Sequence, residues 1–237
     1  MKLSIVIPAY NEERTIEQVL DAVRTIDLES KLGIPVEREI VVVDDGSADR
    51  TRAILADQAR HPEVRVLLHE RNQGKGAALR TGFGAVTGDI VIIQDADFEY
   101  DPAEYPLLLE PIVKGRADVV YGSRLSGGRP QRVYLFWHMV GNRFLTLLTN
   151  ILFNSTLTDM ETGYKVFRRE VVDSFRLREN DFRIEPEMTA QVLMNPQLRV
   201  YELPIAYYGR TYEEGKKITW RDGIKAVRTL LRCRLGL

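Results

Sequence analysis

Across 237 residues, 33 Lys and Arg face 34 Asp and Glu, a net charge of -1, and 44% of side chains are hydrophobic against 28% charged. That balance excludes any global attraction to nucleic acid, and the length suits one soluble domain. A single cysteine, Cys233, excludes an internal disulfide and a multi-cysteine metal site, and fits a reducing compartment.

The chain opens directly into a strand-like run, KLSIVIP, without the charged-then-apolar layout of a signal peptide. Short Val/Ile-rich runs follow at 3–8, 39–45, 64–69, 89–95 and 118–123, separated by helical patterns near 12–26, 48–60, 75–86 and 102–115. Near-continuous apolar strands alternating with helices predict an α/β fold with a mostly parallel central sheet covered on both faces. In the second half, residues 133–153 are apolar but interrupted by His138, Asn142, Arg143 and Asn150, which argues against a membrane span. TGYKVFRRE reads as a strand or turn entering a short helix, RIEPEMTAQVLM as a helix and LRVYELPIAYY as extended, with a final helix from Trp220. The whole chain, 1–237, is expected to be one domain, its second half (126–237) completing a site begun by the first (1–125).

Ligands of open α/β sheets bind outside the carboxyl ends of the strands. Those ends here carry Pro8, Tyr10, Asn11 and Glu12; then Asp44, Asp45, Gly46 and Ser47; then Arg71, Gly74, Lys75 and Gly76; then an acidic stretch; then Arg124. A dinucleotide fingerprint, a P-loop and an EF-hand are all excluded by the residues at the required positions. What remains is DADFEYDP, where Asp95, Asp97, Glu99 and Asp101 alternate with Ala96, Phe98 and Tyr100. Continued as a strand, this would place all four carboxylates on one face. Asp101 before Pro102 reads as a helix cap. The others suit a hard divalent ion, Mg2+ or Mn2+, bridging to substrate phosphates.

IVIPAYNEE, VVVDDGSADRT, NQGKGAALRTG, DADFEYDP and GSR, in this order, resemble the family 2 inverting glycosyltransferases of GT-A fold. GNRFLTLLTNILFN, LTDMETGYKVFRREV and ELPIAYYGRTYEEGKKI further resemble the polyprenyl-phosphate branch, which includes dolichyl-phosphate mannose and glucose synthases. The resemblance implies a nucleotide-sugar site made by Pro8, Tyr10, Glu12, Asp44, Asp45, Lys75 and Gly76, the glycine permitting close backbone approach. It implies a metal site of Asp95, Asp97 and Glu99, with Asp95 also near the ribose. Arg210 and Lys217 would reach the donor diphosphate once a loop closes, and Arg124 and Arg143 would hold the acceptor phosphate. Arg168 is a further arginine whose plainer reading is a structural ion pair. Asp97, Asp159 and Arg210 are the expected catalytic residues.

The implied reaction moves mannose or glucose from GDP-mannose or UDP-glucose to a polyprenyl phosphate. A divalent ion and basic side chains would stabilise the leaving diphosphate, and inversion would follow from a single in-line attack. A phosphate monoester is already anionic and needs no strong base, so Asp159 and Glu161 would orient hydroxyls or acceptor. With a sugar hydroxyl as acceptor, one of them becomes the candidate base. That alternative stays open, as does a non-catalytic nucleotide-sugar-binding protein.

A helix over 134–153 would gather His138, Asn142, Thr146, Thr149 and Asn150 into a polar stripe opposite an apolar face. The last helix would set Trp220, Ile224, Val227 and Leu231 beside Arg221, Lys225, Arg228 and Arg232, a pattern that suits an anionic bilayer surface. The expectation is a peripheral protein at the cytoplasmic face of a membrane, with room for a separate membrane-embedded partner and none for nucleic acid.

Overall fold

The computed structural model describes residues 1–133, 136–209 and 220–237, the side chains of Trp220 and Arg221 excepted. Seven strands, β1 (Lys2–Ala9), β2 (Glu37–Asp44), β3 (Val64–Leu68), β4 (Ile90–Ile93), β5 (Val119–Ser123), β6 (Lys165–Arg168) and β7 (Val200–Pro204), form one sheet. Its order is β3-β2-β1-β4-β6-β5-β7. All five strands expected in the first half are present. Every neighbouring pair is parallel except those of β6, which runs antiparallel to both β4 and β5. The carboxyl ends of the other six strands therefore share one edge, and β6 brings its amino end there.

Between the strands lie α1 (Ile16–Thr25), α2 (Leu28–Leu32), α3 (Thr51–Gln58), α4 (Lys75–Phe83) and α5 (Tyr105–Val113). The second half adds α6 (Phe136–Phe153), α7 (Arg169–Ser174), α8 (Ile184–Met194) and α9 (Trp220–Leu235). Period-two alternation divides the strands between two cores. Leu3, Ile5 and Ile7 pack with Val19, Leu20 and Val23 of α1 and Leu108, Leu109 and Ile112 of α5. On the opposite face, Val6, Val41 and Val91 pack with Leu79 of α4 and Ile184, Met188 and Val192 of α8.

A third cluster joins α6, α8 and α9 through Leu145, Phe153, Met160, Ala190, Ala226 and Leu230. Here α6 has an inverted polarity. Thr146 and Thr149 of its polar stripe are buried, Thr146 Oγ1 accepting from Met160 N at 3.1 Å. Asn150 donates to Leu157 O at 2.8 Å and accepts from Ser155 Oγ at 2.6 Å. The apolar face looks outward, with Phe136 62%, Trp137 78%, Phe144 56%, Leu147 57% and Ile151 70% exposed. On α9, Ile224 and Leu231 are exposed as expected, but Val227 is partly buried in the third cluster. Arg232 also turns inward, to Glu179 at 2.8 Å and Glu187 at 3.3 Å, so it is not part of an outward basic face. No helix among the described residues is long and apolar enough to cross a membrane.

Candidate functional site

The first two loops at the shared edge are laced together. Asn11, held at φ 54, takes its backbone N–H to Ser47 Oγ at 2.9 Å, while its side chain accepts from Ala48 N at 2.9 Å. Glu12 is buried, its N–H on Thr51 Oγ1 at 2.9 Å, and Tyr10 and Pro8 are partly buried beside it. Asp44 is fully buried and ion-paired to Arg52 at 2.7 Å; its Oδ1 has no partner among the described residues. Asp45 accepts from His69 Nδ1 at 2.7 Å, Gln73 N at 2.9 Å and Gly74 N at 2.7 Å. Asp45 thus anchors the loop that leads into α4, two of these bonds falling on Oδ1 and one on Oδ2, so that Oδ2 retains acceptor capacity.

Gly76 lies at a tight contact of its own. A Cβ there would lie 2.4 Å from Glu179 O, and Ala77 N donates to Asn180 O at 3.0 Å. Among the described residues, the close backbone approach that glycine permits is to the chain's own 179–180 segment. The neighbouring Lys75, first residue of α4, sits between Asp95 Oδ1 at 2.7 Å and Glu185 Oε1 at 2.9 Å. Burial would lower its pKa, but these two carboxylates outweigh that and hold the ammonium well above its usual value.

The acidic stretch does not continue as a strand. β4 ends at Ile93, before the first of these carboxylates, and in the turns that follow Phe98 adopts φ 59, a left-handed conformation that is costly for a bulky residue. The carboxylates consequently fan apart. Asp95 faces Lys75 and nestles against Gly163, where a Cβ would lie 2.3 Å from its Oδ2. Asp97 Oδ1 accepts from Glu99 N at 3.1 Å, and Glu99 Oε2 accepts from Tyr207 Oη at 2.6 Å. Asp101 caps the short 3-10 turn Pro102–Glu104, as its place before proline predicts. Among the described residues no three Asp, Glu, His or Cys side chains converge as a ligand set. The expected trio of Asp95, Asp97 and Glu99 is therefore not assembled, because Asp95 is drawn to lysine and Glu99 to tyrosine.

On the other side of the edge, Arg124 grips Asp159, with Nε to Oδ2 at 2.6 Å and Nη2 to Oδ1 at 2.8 Å; Asn142 of α6 donates to the same Oδ1 at 3.1 Å. Burial would raise the Asp159 carboxyl, yet the guanidinium prevails and holds it below its usual value, which suits a weak base poorly placed to take a proton. Arg124 also lies over the Tyr207 ring, 5.1 Å from its centroid. Glu161 is the converse case. Burial, then the nearby Glu185 charge, push its carboxyl up to about 7, and its Oε1 is buried without a hydrogen bond among the described residues. Arg143 is exposed on α6, next in sequence to the Asn142 that reaches Asp159. Arg168 pairs with Asp118 at 3.1 Å, the structural reading of that arginine. Arg210 and Lys217 lie outside the described residues.

A family description, Glycosyl transferase family 2, matches residues 4–176. The chain belongs to glycosyl transferase family 2. Within it, the chain is 31% identical over 230 residues to a low-salt glycan biosynthesis hexosyltransferase of Haloferax volcanii, covering 97% of this chain and 53% of that protein. It is 28% identical over 218 residues to a dolichol-phosphate mannosyltransferase of Pyrococcus furiosus (91% and 59%). It is 32% identical over 175 residues to an undecaprenyl-phosphate 4-deoxy-4-formamido-L-arabinose transferase of Photorhabdus laumondii (73% and 51%). The chain thus spans little more than half the length of these curated relatives. In structure it resembles glucosyl-3-phosphoglycerate synthase from Mycobacterium tuberculosis, with TM-score 0.74 at 23% identity, covering 100% of this chain and 80% of that one. That likeness establishes the GT-A fold.

Several residues of this family 2 site escape a reading of the sequence. Glu185 lies far from the other motifs, at the start of α8, yet it contacts both Lys75 and the fully buried Lys165. His69 braces Asp45 from one ring nitrogen and Thr81 from the other, at 2.9 Å. Tyr207 connects Glu99 to Arg124. The one available signal was charge inside apolar patterns, with Lys165 in KVF and Glu185 in RIEPEM, since a buried charge requires a partner.

Proposed function

We propose that the chain transfers mannose or glucose from a nucleotide sugar to a polyprenyl phosphate, with inversion at the sugar's C1. The observation that carries this reading is the two-sidedness of α6. Its outward face presents Phe136, Trp137, Phe144 and Ile151, while its inward Asn142 reaches the Asp159 that holds Arg124. An isoprenoid chain and its anionic head have those two requirements, an apolar surface and cations close by, and the exposed Arg143 stands on the same helix. The names of the Pyrococcus and Photorhabdus relatives, which specify dolichol phosphate and undecaprenyl phosphate, support the same acceptor class.

In this mechanism the laced loops around Tyr10, Glu12 and Asp44 receive the nucleoside. Asp97 and Glu99 are oxygen donors on one tight turn with neither His nor Cys, a chemistry that fits a single Mg2+ or Mn2+ completed by substrate phosphates. Such an ion, when bound, offsets charge on the departing diphosphate. Arg210 and Lys217 would add cations there. Arg124, fixed by Asp159, and Arg143 would orient the acceptor phosphate for in-line attack, its own negative charge replacing a general base. The protein would work peripherally at the cytoplasmic face of a membrane, alone or beside a membrane-embedded partner.

A second reading uses a sugar hydroxyl as acceptor. It is favoured by Glu161, whose carboxyl at about 7 is matched to proton abstraction near neutrality. Incubation with radiolabelled UDP-glucose, UDP-N-acetylglucosamine or GDP-mannose and a short-chain polyprenyl phosphate separates the two. The first reading expects an acid-labile lipid-linked sugar from one donor. Absence of any such product, with label appearing on an oligosaccharide instead, would favour the second.

A further inference from the structure

Behind the donor loops runs a chain of alternating charges contributed by four separate elements: Asp95 after β4, Lys75 of α4, Glu185 of α8 and Lys165 of β6. Lys75 bridges Asp95 at 2.7 Å and Glu185 at 2.9 Å, and Lys165 pairs with the other oxygen of Glu185 while donating to Thr162 O. Only Lys75 and Asp95 keep some exposure, at 14% and 18%; Glu185 and Lys165 are closed off at 4% and 0%. The exposed end of the chain is therefore the end at the donor edge.

Lys75 is oddly placed for a structural lysine. As the first residue of α4 it puts a positive charge at the positive end of the helix, an unfavourable position that only nearby carboxylates can offset. Glu185, in the first turn of α8, is by contrast favoured there. The seat of Asp95 depends on residue 163 being glycine, since a Cβ there would lie 2.3 Å from its Oδ2.

We propose that Glu185 is a positioning residue for the donor site: set between two lysines, it fixes the Lys75 ammonium on Asp95 and so holds that carboxylate and the start of α4 ready for a nucleotide sugar. This rests on the donor reading given above. Glu185 acts through Lys75 and need not touch the donor itself. Lys165 keeps Glu185 ionised and aimed from behind.

A mutant cycle on nucleotide binding tests it. Isothermal titration with UDP and with GDP compares wild type, Lys75→Met, Glu185→Gln and the double variant. Glu185→Gln should weaken binding about tenfold, the scale of one lost ion pair in a mostly buried site, and the double variant should bind no worse than Lys75→Met alone. A folded Glu185→Gln protein of unchanged affinity, or losses that multiply in the double variant, would overturn the proposal. Should Glu185→Gln strand Lys165 and fail to fold, the same cycle is run in a Lys165→Met background, where the same two results decide for or against it. A second readout needs no nucleotide: acylation of Lys75 by an amine-reactive ester, mapped by mass spectrometry, should rise severalfold in Glu185→Gln, and unchanged reactivity counts against the proposal. If wild type takes up neither UDP nor GDP, the donor reading fails, and the acylation result alone decides whether Glu185 holds Lys75.

Discussion

Arg124 and Asp159 form a fork-to-fork ion pair between the end of β5 and the loop before β6, with the Arg124 backbone N–H also on Asp159 Oδ2 at 3.0 Å. Asp159 is completely buried and the arginine nearly so, with side-chain exposures of 0% and 15%. Removing one partner of such a pair leaves the other charge unsatisfied. Asp159→Asn should therefore cost about 3–5 kcal/mol, read from denaturant midpoints, with part of the loss recovered in Asp159→Asn/Arg124→Met. A loss below about 1 kcal/mol would mean that water reaches the guanidinium and the pair is a surface contact.

Gly76→Ala pits helix propensity against packing. An alanine inside α4 would ordinarily stabilise it by about 1 kcal/mol. Here its Cβ would meet the Glu179 carbonyl oxygen at 2.4 Å, and backbone cannot step aside as a side chain can. A net loss of about 1–3 kcal/mol is expected on overpacking grounds. Chemical denaturation showing equal or greater stability would contradict the assigned contact.

Glu161 sets a pH dependence of definite sign. Its folded-state carboxyl titrates at about 7, above the ordinary value of 4.5, so between those limits the native state holds a proton that the unfolded state has lost. Stability should fall as pH rises from 4.5 to about 7 and then level off. Glu161→Gln should abolish this part of the slope and raise stability at pH 8 by up to about 3 kcal/mol. Melting temperatures of both proteins across that range provide the check; parallel curves would refute it.

The outward face of α6 should govern membrane binding while contributing little to folding. Phe144→Ser/Ile151→Ser removes two large side chains that are 56% and 70% exposed. If both enter a bilayer, each contributes on the order of 1.5–3 kcal/mol, so sedimentation with phosphatidylglycerol vesicles should drop at least tenfold while the melting temperature stays level. Equal sedimentation of variant and wild type would locate any membrane contact elsewhere.

The edge where the strand ends meet was readable because its parts are local. Val/Ile runs mark the strands, and the residues just beyond each run arrive at one edge by the geometry of parallel strands. The same logic failed for the acidic stretch, where alternation from Asp95 to Asp101 assumed a continuing strand, whereas β4 ends at Ile93 and turns follow. Periodicity separated most of the two faces of α6, although Leu148 and Leu152 of its apolar face pack into the third cluster; it cannot say which face meets the protein, and there Met160 and Leu157 supply polar partners for Thr146 and Asn150. The Arg124–Asp159 pair spans 35 positions and the Lys75–Glu185 contact far more, so no spacing rule reaches either.

The antiparallel course of β6 has one more result. The chain leaves the ligand edge after Ser123 and returns to the same edge at Lys165, with β5 and β6 zipped together behind it. Residues 124–164 are thus a detour whose entrance and exit are fixed next to each other. That segment carries Arg124, Asn142 and Asp159, and it sends Gly163 back against Asp95, so a single doorway in the sheet sets where all four meet the strand ends.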